Sequence, residues 1–368
     1  MPSFADLFRT PRRSLFRGFG VLLVGVAIWF ASGIWQKADP LLASPTIALE
    51  SLQAKTLYFN NAARPWLLAQ RPDLLAGEDR DENSERTRGL TQAVQNPKLF
   101  RQLDRQYRFD AVLLTGDPSQ YKPLLDHLVE TKDWRLHFAD HTSLVFRRDG
   151  TKAWDLADFD AVRVRLAEKS AQARATAFAQ TATKLLAAGQ PEAGRKLLDE
   201  AAQLAPRNAE VANGLAIYHL DRGEWREATA QIERALSADR KFLPALATKT
   251  QLLYGTKRFS EAYDLSKQLV AALPQDPRLL FYHAKIAHEA HAYKAEIEAL
   301  EKLITWAEIE GRPVGGYQIY LGQAYASTGD AKRSVDSFML ALNDPDLPTD
   351  QRAFARENIA RIKKRTGQ

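Results

Sequence analysis

Four stretches carry side chains that could do chemistry. Asp79 to Asn83 (DRDEN) sets acid or amide groups at alternate positions, as the opening of a calcium loop does. Ser84 stands where that loop needs glycine, and Leu90 where its bidentate glutamate belongs, so the stretch reads as a solvated acidic loop. Thr115-Gly116 closes an apolar run ahead of Asp117-Pro118, a strand-to-helix junction that could hold a phosphate on helix amides. The Asp117 carboxylate would take those same donors and repel an anion. His137 and His141 flank a turn without a positioned nucleophile or carboxylate. In HAKIAHEAHAYK, His288 and His291 share a helical face, as a metal pair requires, but His291 and Tyr293 fall at turn positions that have a structural explanation. There is no cysteine, which excludes disulfides, thiolate metal sites and cysteine nucleophiles. The residue types predict no enzyme, no cofactor and no metal.

The elements that would position these groups belong to about two folded regions, since 368 residues with 45% hydrophobic content can build more than one core. The net charge of +6 comes from interspersed acids and bases without a basic stripe, so nucleic acid is not an expected partner. Gly18 to Gln36 is uncharged and would span roughly 28 Å as a helix, matching a bilayer core. Trp29 and Trp35 lie in its second half, and Arg9, Arg12, Arg13 and Arg17 precede it, an arrangement that keeps the N-terminus in the cytoplasm. A cleaved signal peptide is the alternative, but the apolar run is longer than a signal core. The expectation is a single-pass inner-membrane anchor at 18–36 behind a basic N-terminus at 1–17, with the bulk of the chain periplasmic and the bilayer as one partner.

Residues 37–50 read as a linker, and 51–149 as a small α/β domain. Thr56 to Asn61 and the apolar Arg108 to Gly116 predict strands. After the second, Asp117 as N-cap, Pro118 in the first turn and Gln120 predict a helix burying Leu124, Leu125 and Leu128. Another helix starts at Asn96-Pro97 and buries Leu99, Phe100 and Leu103. WRLHFAD and SLVFRR alternate with period two around a polar turn and predict a hairpin. In layout, FDAVLL, a helix, then DWRLHFADHTSLVFRR resembles the extracytoplasmic soluble region of bacterial membrane glycosyltransferase-like proteins. The resemblance implies a fold and no activity, because the transmembrane catalytic portion of those enzymes is missing.

Beyond a connecting helix at 150–174, the chain repeats. Trp225, Phe259 and Tyr293 are 34 apart (259 − 225, 293 − 259), and so are Ala182, Ala216, Thr250 and Ala284, and Ala201, Ala235, Leu269 and Leu303. Gly189 and Gly223 keep the same interval, where a glycine ends a helix in the left-handed conformation. Leu321, Gly322, Tyr325, Gly329, Phe338 and Ala341 form the fullest copy. The copy from Pro277 has His291 in place of glycine and Glu296 in place of a small residue, and the register then slips to 38 (322 − 284) within Glu308 to Gly316. Over 175–346 the pattern resembles the tetratricopeptide repeat family. That implies an all-α solenoid of about five helical hairpins, with 347–368 as a cap helix.

The resemblance implies a concave groove lined by exposed positions of each first helix: Asn213, Thr248, Gln251, Arg278, Phe281, Tyr282, Lys285, Ile319, Tyr320 and Gln323. Aromatic and aliphatic groups beside two cations suit a peptide with apolar side chains and an acid. Ala179, Thr183, Gly214, Pro244 and Thr248 replace the lysine–asparagine–arginine clamp that some members use for a chaperone's terminal carboxylate. The expected function is a membrane-anchored scaffold that binds proteins and assembles an envelope complex. The alternative is an accessory subunit of glycan or lipid-linked sugar synthesis or export whose α/β domain binds a sugar.

Overall fold

The computed structural model describes residues 45–75, 84–148, 154–345 and 347–366. The anchor segment 18–36, its preceding arginines, most of the linker and the acidic loop 79–83 lie outside the described residues. Among the described residues, no helix is long and apolar enough to cross a membrane.

The α/β layer holds α1 (Thr46–Ser51), β1 (Leu57–Phe59), α2 (Arg64–Gln70), α3 (Glu85–Ala93), α4 (Pro97–Tyr107), β2 (Ala111–Thr115), α5 (Lys122–Glu130), β3 (Arg135–Ala139) and β4 (Ser143–Arg147). The sheet order is β1-β2-β4-β3, with β1 and β2 parallel and the other pairs antiparallel. All five β2 residues are buried, as a continuous apolar run at the centre of a covered sheet requires. Asn60 extends the β1–β2 pairing beyond the ladder: its side chain accepts from Thr115 N at 2.9 Å and donates to Thr115 O at 2.7 Å. Asn96 caps α4 through Lys98 N and Leu99 N, and Phe100 then packs edge-on against Tyr58, with ring centroids 5.0 Å apart. Leu99 and Leu103 are only half-buried. After Gly116 the chain makes a 3-10 turn (Pro118–Tyr121) before α5, and Leu124, Leu125 and Leu128 are buried as expected. The connection to the repeats contains a 3-10 turn (Leu156–Phe159) and the short α6 (Asp160–Leu166) in place of one long helix.

Helical hairpins follow: α7 (Ala171–Ala187) with α8 (Pro191–Leu204), α9 (Ala209–Asp221) with α10 (Trp225–Ala238), then α11 (Leu243–Gly255) and α12 (Phe259–Ala272), α13 (Pro277–Glu289) with α14 (Tyr293–Ile309), α15 (Gly315–Thr328) with α16 (Ala331–Asn343), and a final helix α17 (Thr349–Thr366). The chain divides into two compact units, one up to Thr248 and one from Lys249.

In the first unit the α/β layer and the early hairpins share one apolar core, running from Ile47 through the strands to Leu197, Leu198 and Tyr218. Phe159 sets its ring edge-on to Phe178 of α7 at 5.2 Å, and Arg163 of α6 reaches Glu200 of α8 at 2.8 Å. A Cβ built on Gly189, just past α7, would lie 3.2 Å from Val129 of α5. The α/β layer over 51–149 is therefore packed on the first hairpins.

Each hairpin turn places a left-handed residue at the repeat interval: Gly189, Gly223, Lys257, His291 and Gly329. Two of the five are not glycine. The geometry of a tight two-helix turn thus overrides a steric cost of about 1–2 kcal/mol at Lys257 and His291. In the copy lacking a small residue, buried Glu296 faces His288 at 3.0 Å, so the position holds a hydrogen-bonded histidine–carboxyl contact across α13 and α14. Three of the four slipped residues appear as an extension of α14, which has 17 residues where α12 has 14, and the fourth lies in the connection that follows, 310–314 against 273–276. In the second unit, Leu347 and Ala355 of the last segment pack with Ile319, Phe338 and Ala341, which closes the final hairpin.

Candidate interaction surface

In the second unit, three first helices carry the aromatic residues. Asp276 caps α13 through Arg278 N and Leu279 N, and Pro277 fits its first turn. That start sets Arg278, Phe281 and Lys285 at helical spacing on one face, all half-buried. On α15, Tyr317 and Tyr320 lie one turn apart. Phe281 meets both edge-on, at 5.7 Å to Tyr317 and 5.3 Å to Tyr320. Tyr254 of α11 packs on Tyr282 at 5.8 Å and on Phe259 at 5.5 Å. Such ring pairs are worth about 0.5–1.5 kcal/mol beyond area burial.

Desolvation raises the Tyr317 and Tyr320 hydroxyls above the usual phenol range and lifts Tyr254 to about 12, with the Glu289 charge adding to it. Tyr282 is pushed higher by burial, and its hydroxyl has no hydrogen-bond partner among the described residues. Desolvation lowers the Lys285 ammonium, against the pull of Glu289. Arg278 Nη2 is 3.1 Å from Asp276, so one of the two expected cations already has its counter-charge.

The ten residues expected on an exposed groove separate in the structure. Gln251, Arg278, Phe281, Lys285, Tyr320 and Gln323 are half-buried, whereas Asn213, Thr248, Tyr282 and Ile319 are buried. Each burial has a local cause. Thr248 turns its hydroxyl back to Pro244 O at 3.0 Å. Ile319 points into the cluster with Phe338 and Leu347. Tyr282 lies against the ring of Tyr254. Asn213 is 1% exposed in the first unit, and neither amide atom has a hydrogen-bond partner among the described residues.

The metal reading of the histidines meets a different geometry. His288 is engaged by Glu296, and His291 Nδ1 lies 2.8 Å from the Tyr293 hydroxyl. The Glu296 hydrogen bond raises the His288 pKa despite desolvation, and burial raises that of Glu296. At the strand-to-helix junction, Asp117 Oδ1 accepts from Ser119 N at 2.6 Å and occupies the donor a phosphate would need.

Sequence reasoning missed a buried polar seam within the first unit. Lys184 of α7 donates to His141 O in the β3–β4 turn at 2.9 Å. Burial lowers its pKa, while the charges of Asp117, Asp140 and Glu210 act to raise it. Glu210, near the start of α9, is lifted to about 7 by desolvation, with Lys184 opposing and Asp117 adding. Asp140 Oδ1 accepts from Thr142 N, the Thr142 hydroxyl and Ser143 N, whereas its buried Oδ2 has no hydrogen-bond partner among the described residues. The signal for this seam lay in α7. From Thr181 to Ala188 every residue is buried, and in the run TATKLLAA the Thr181 and Thr183 hydroxyls donate back to carbonyls of their own helix, which leaves Lys184 as its one charged group. A helix apolar on all sides is covered on all sides.

A family model described as tetratricopeptide repeat matches residues 185–252. No curated protein matches the chain. Among solved structures, MamA from Desulfovibrio magneticus RS-1 is 21% identical, with 46% of this chain and 93% of that chain covered and a TM-score of 0.40. PilF of Pseudomonas aeruginosa is 16% identical, covering 54% and 92% at a TM-score of 0.42. YrrB, described as a TPR protein with an unusual peptide-binding site, is 14% identical, covering 55% and 100% at 0.44. Tetratricopeptide-type hairpins are present. None of the comparisons extends the glycosyltransferase-like resemblance of 51–149.

Proposed function

We propose that the protein is a scaffold that holds another protein through the aromatic face of its second unit and is tethered to a membrane by residues 18–36. The observation that carries the reading is the half-buried array of Phe281, Tyr317 and Tyr320 on consecutive first helices. Large rings left partly open to water on a helix face are what a docked side chain covers, and aromatic residues dominate the energetics of such contacts. Lys285 and Gln323 beside them add polar groups at the rim. The partner this fits is a peptide segment with apolar side chains and an acid. Uncharged residues 18–36 behind four arginines support an anchor that leaves the repeats outside the cytoplasm, where the partner would belong to an envelope complex.

The test is co-purification from detergent-solubilised membranes, comparing the full chain with the Phe281→Ala/Tyr320→Ala variant, together with a control variant at exposed Lys294. One protein band lost with the aromatic variant and kept with the control is the expected result. Equal recovery from both refutes the docking face. Release of the full chain from membranes by alkaline carbonate refutes the anchor and leaves the docking result to stand by itself.

A further inference from the structure

We propose that the added turn between α14 and α15 reads the acid of the docked peptide: Arg312 binds its carboxylate, and Ile309 takes the apolar side chain beside it. The inference rests on the aromatic face of the second unit being the docking surface, and it assigns that surface the cation it otherwise lacks.

The turn is where the repeat departs from its own spacing. Trp306 is equivalent to Ala272, the last residue of α12 (306 − 272 = 34), so Ala307 to Ile309 extend α14 by residues that α12 does not have. Just beyond the extension, Gly311 takes a left-handed φ of 61° and turns the chain back. Arg312 N then donates to Ala307 O at 2.7 Å, a bond made to the added turn itself. The result is a guanidinium seated over the half-buried Trp306 ring, 5.1 Å from its centroid. Ile309, one helical turn on from Trp306, is 78% exposed, the most of any large apolar side chain among the described residues.

Charge separates Arg312 from the other cations near the rings. Arg278 is paired with Asp276, and Lys285 lies in the field of Glu289. Arg312 is exposed and has no ion pair among the described residues. An arginine already held over a ring has given up part of its rotamer freedom, so it loses less on gripping a carboxylate through two N–H groups. The turn is also continuous with the aromatic face. Val314, two residues on, packs on the same apolar cluster as Phe281, Tyr317 and Tyr320. The Arg312 charge reaches Tyr317, whose hydroxyl pKa it lowers against desolvation. A peptide running from the rings towards the turn therefore meets an apolar shelf and a cation together.

The test pans the full chain, in detergent, against a phage-displayed library of random peptides. The wild type is expected to enrich Asp or Glu beside apolar or aromatic residues, and the Phe281→Ala/Tyr320→Ala variant to enrich neither. Arg312→Glu is expected to keep the apolar preference, to exchange Asp and Glu for Lys and Arg, and to bind the wild-type peptides about tenfold more weakly. Arg312→Gln is expected to lose the acid preference without gaining one for base. Ile309→Ser is expected to keep the acid and relax the apolar choice next to it. An acid preference that persists in both Arg312 variants overturns the inference and leaves the aromatic face standing. Wild-type selection without apolar or acidic preference refutes the aromatic face and this inference with it. So do peptides that bind Phe281→Ala/Tyr320→Ala as well as they bind the wild type.

Discussion

Replacing Glu210 with glutamine should remove a defined part of the pH dependence of the first unit. Glu210 is 8% exposed, and burial lifts its pKa to about 7 from the ordinary 4.5. The groups facing it are Lys184 from α7 and Asp117 from the turn after β2, with Asp140 of the β3–β4 turn acting on the same lysine. A pKa raised on folding means that the native state holds its proton more tightly than the unfolded chain. The contribution is therefore fully present below pH 4.5 and is lost as pH rises through 7. The full span is 7 − 4.5 = 2.5 units at 1.36 kcal/mol each, or about 3 kcal/mol. Of that, about 2 kcal/mol falls between pH 5.5 and 8. Glutamine keeps the shape and never ionises, so the variant should lose that slope and at pH 8 should be the more stable protein. Hydrogen exchange of peptides covering α9 and β2, corrected for intrinsic rates, measures this without assuming a single unfolding step for the whole chain. Parallel wild-type and variant profiles from pH 5.5 to 8 would show that Glu210 is not buried in the way described.

Three further outcomes follow from the packing. Lys257→Gly should raise the stability of the second unit by about 1 kcal/mol, because Lys257 holds a left-handed φ of 62° that glycine adopts freely; a loss of stability in urea titration contradicts it. Gly322→Ala should cost about 1–3 kcal/mol, although alanine is the better helix former, because its Cβ would meet the buried Phe338 ring at 2.9 Å. An unchanged or higher denaturation midpoint would mean that the ring has room to move. Tyr282→Phe should be neutral or stabilising by about 1 kcal/mol, since it deletes a buried hydroxyl that has no partner among the described residues. Clear destabilisation would reveal an acceptor.

What could be read from the sequence was local, and what could not was a matter of layers. The cap at Asn96, the fully buried β2 and the hairpin around Asp140 each depend on neighbours within a few residues, and each stands where its signal put it. The 34-residue interval was legible because a helical hairpin repeats the same close approaches. It located a turn even where His291 replaced the expected glycine, and the structure adds Lys257 at the same interval. Exposure was less legible, since a repeat position is open only if nothing else covers it. Asn213 occupies a groove position by register but is buried in a unit whose α/β layer is packed on the early hairpins. Ile319 has groove register too, but it is recruited by the closing segment at Leu347 and Ala355. Burial reaches the middle helices as well: Thr248 of α11 and Tyr282 of α13 have groove register and are buried, one with its hydroxyl turned back to Pro244 O and the other against the ring of Tyr254. On the same two helices Gln251, Phe281 and Lys285 keep the partial exposure their register implies.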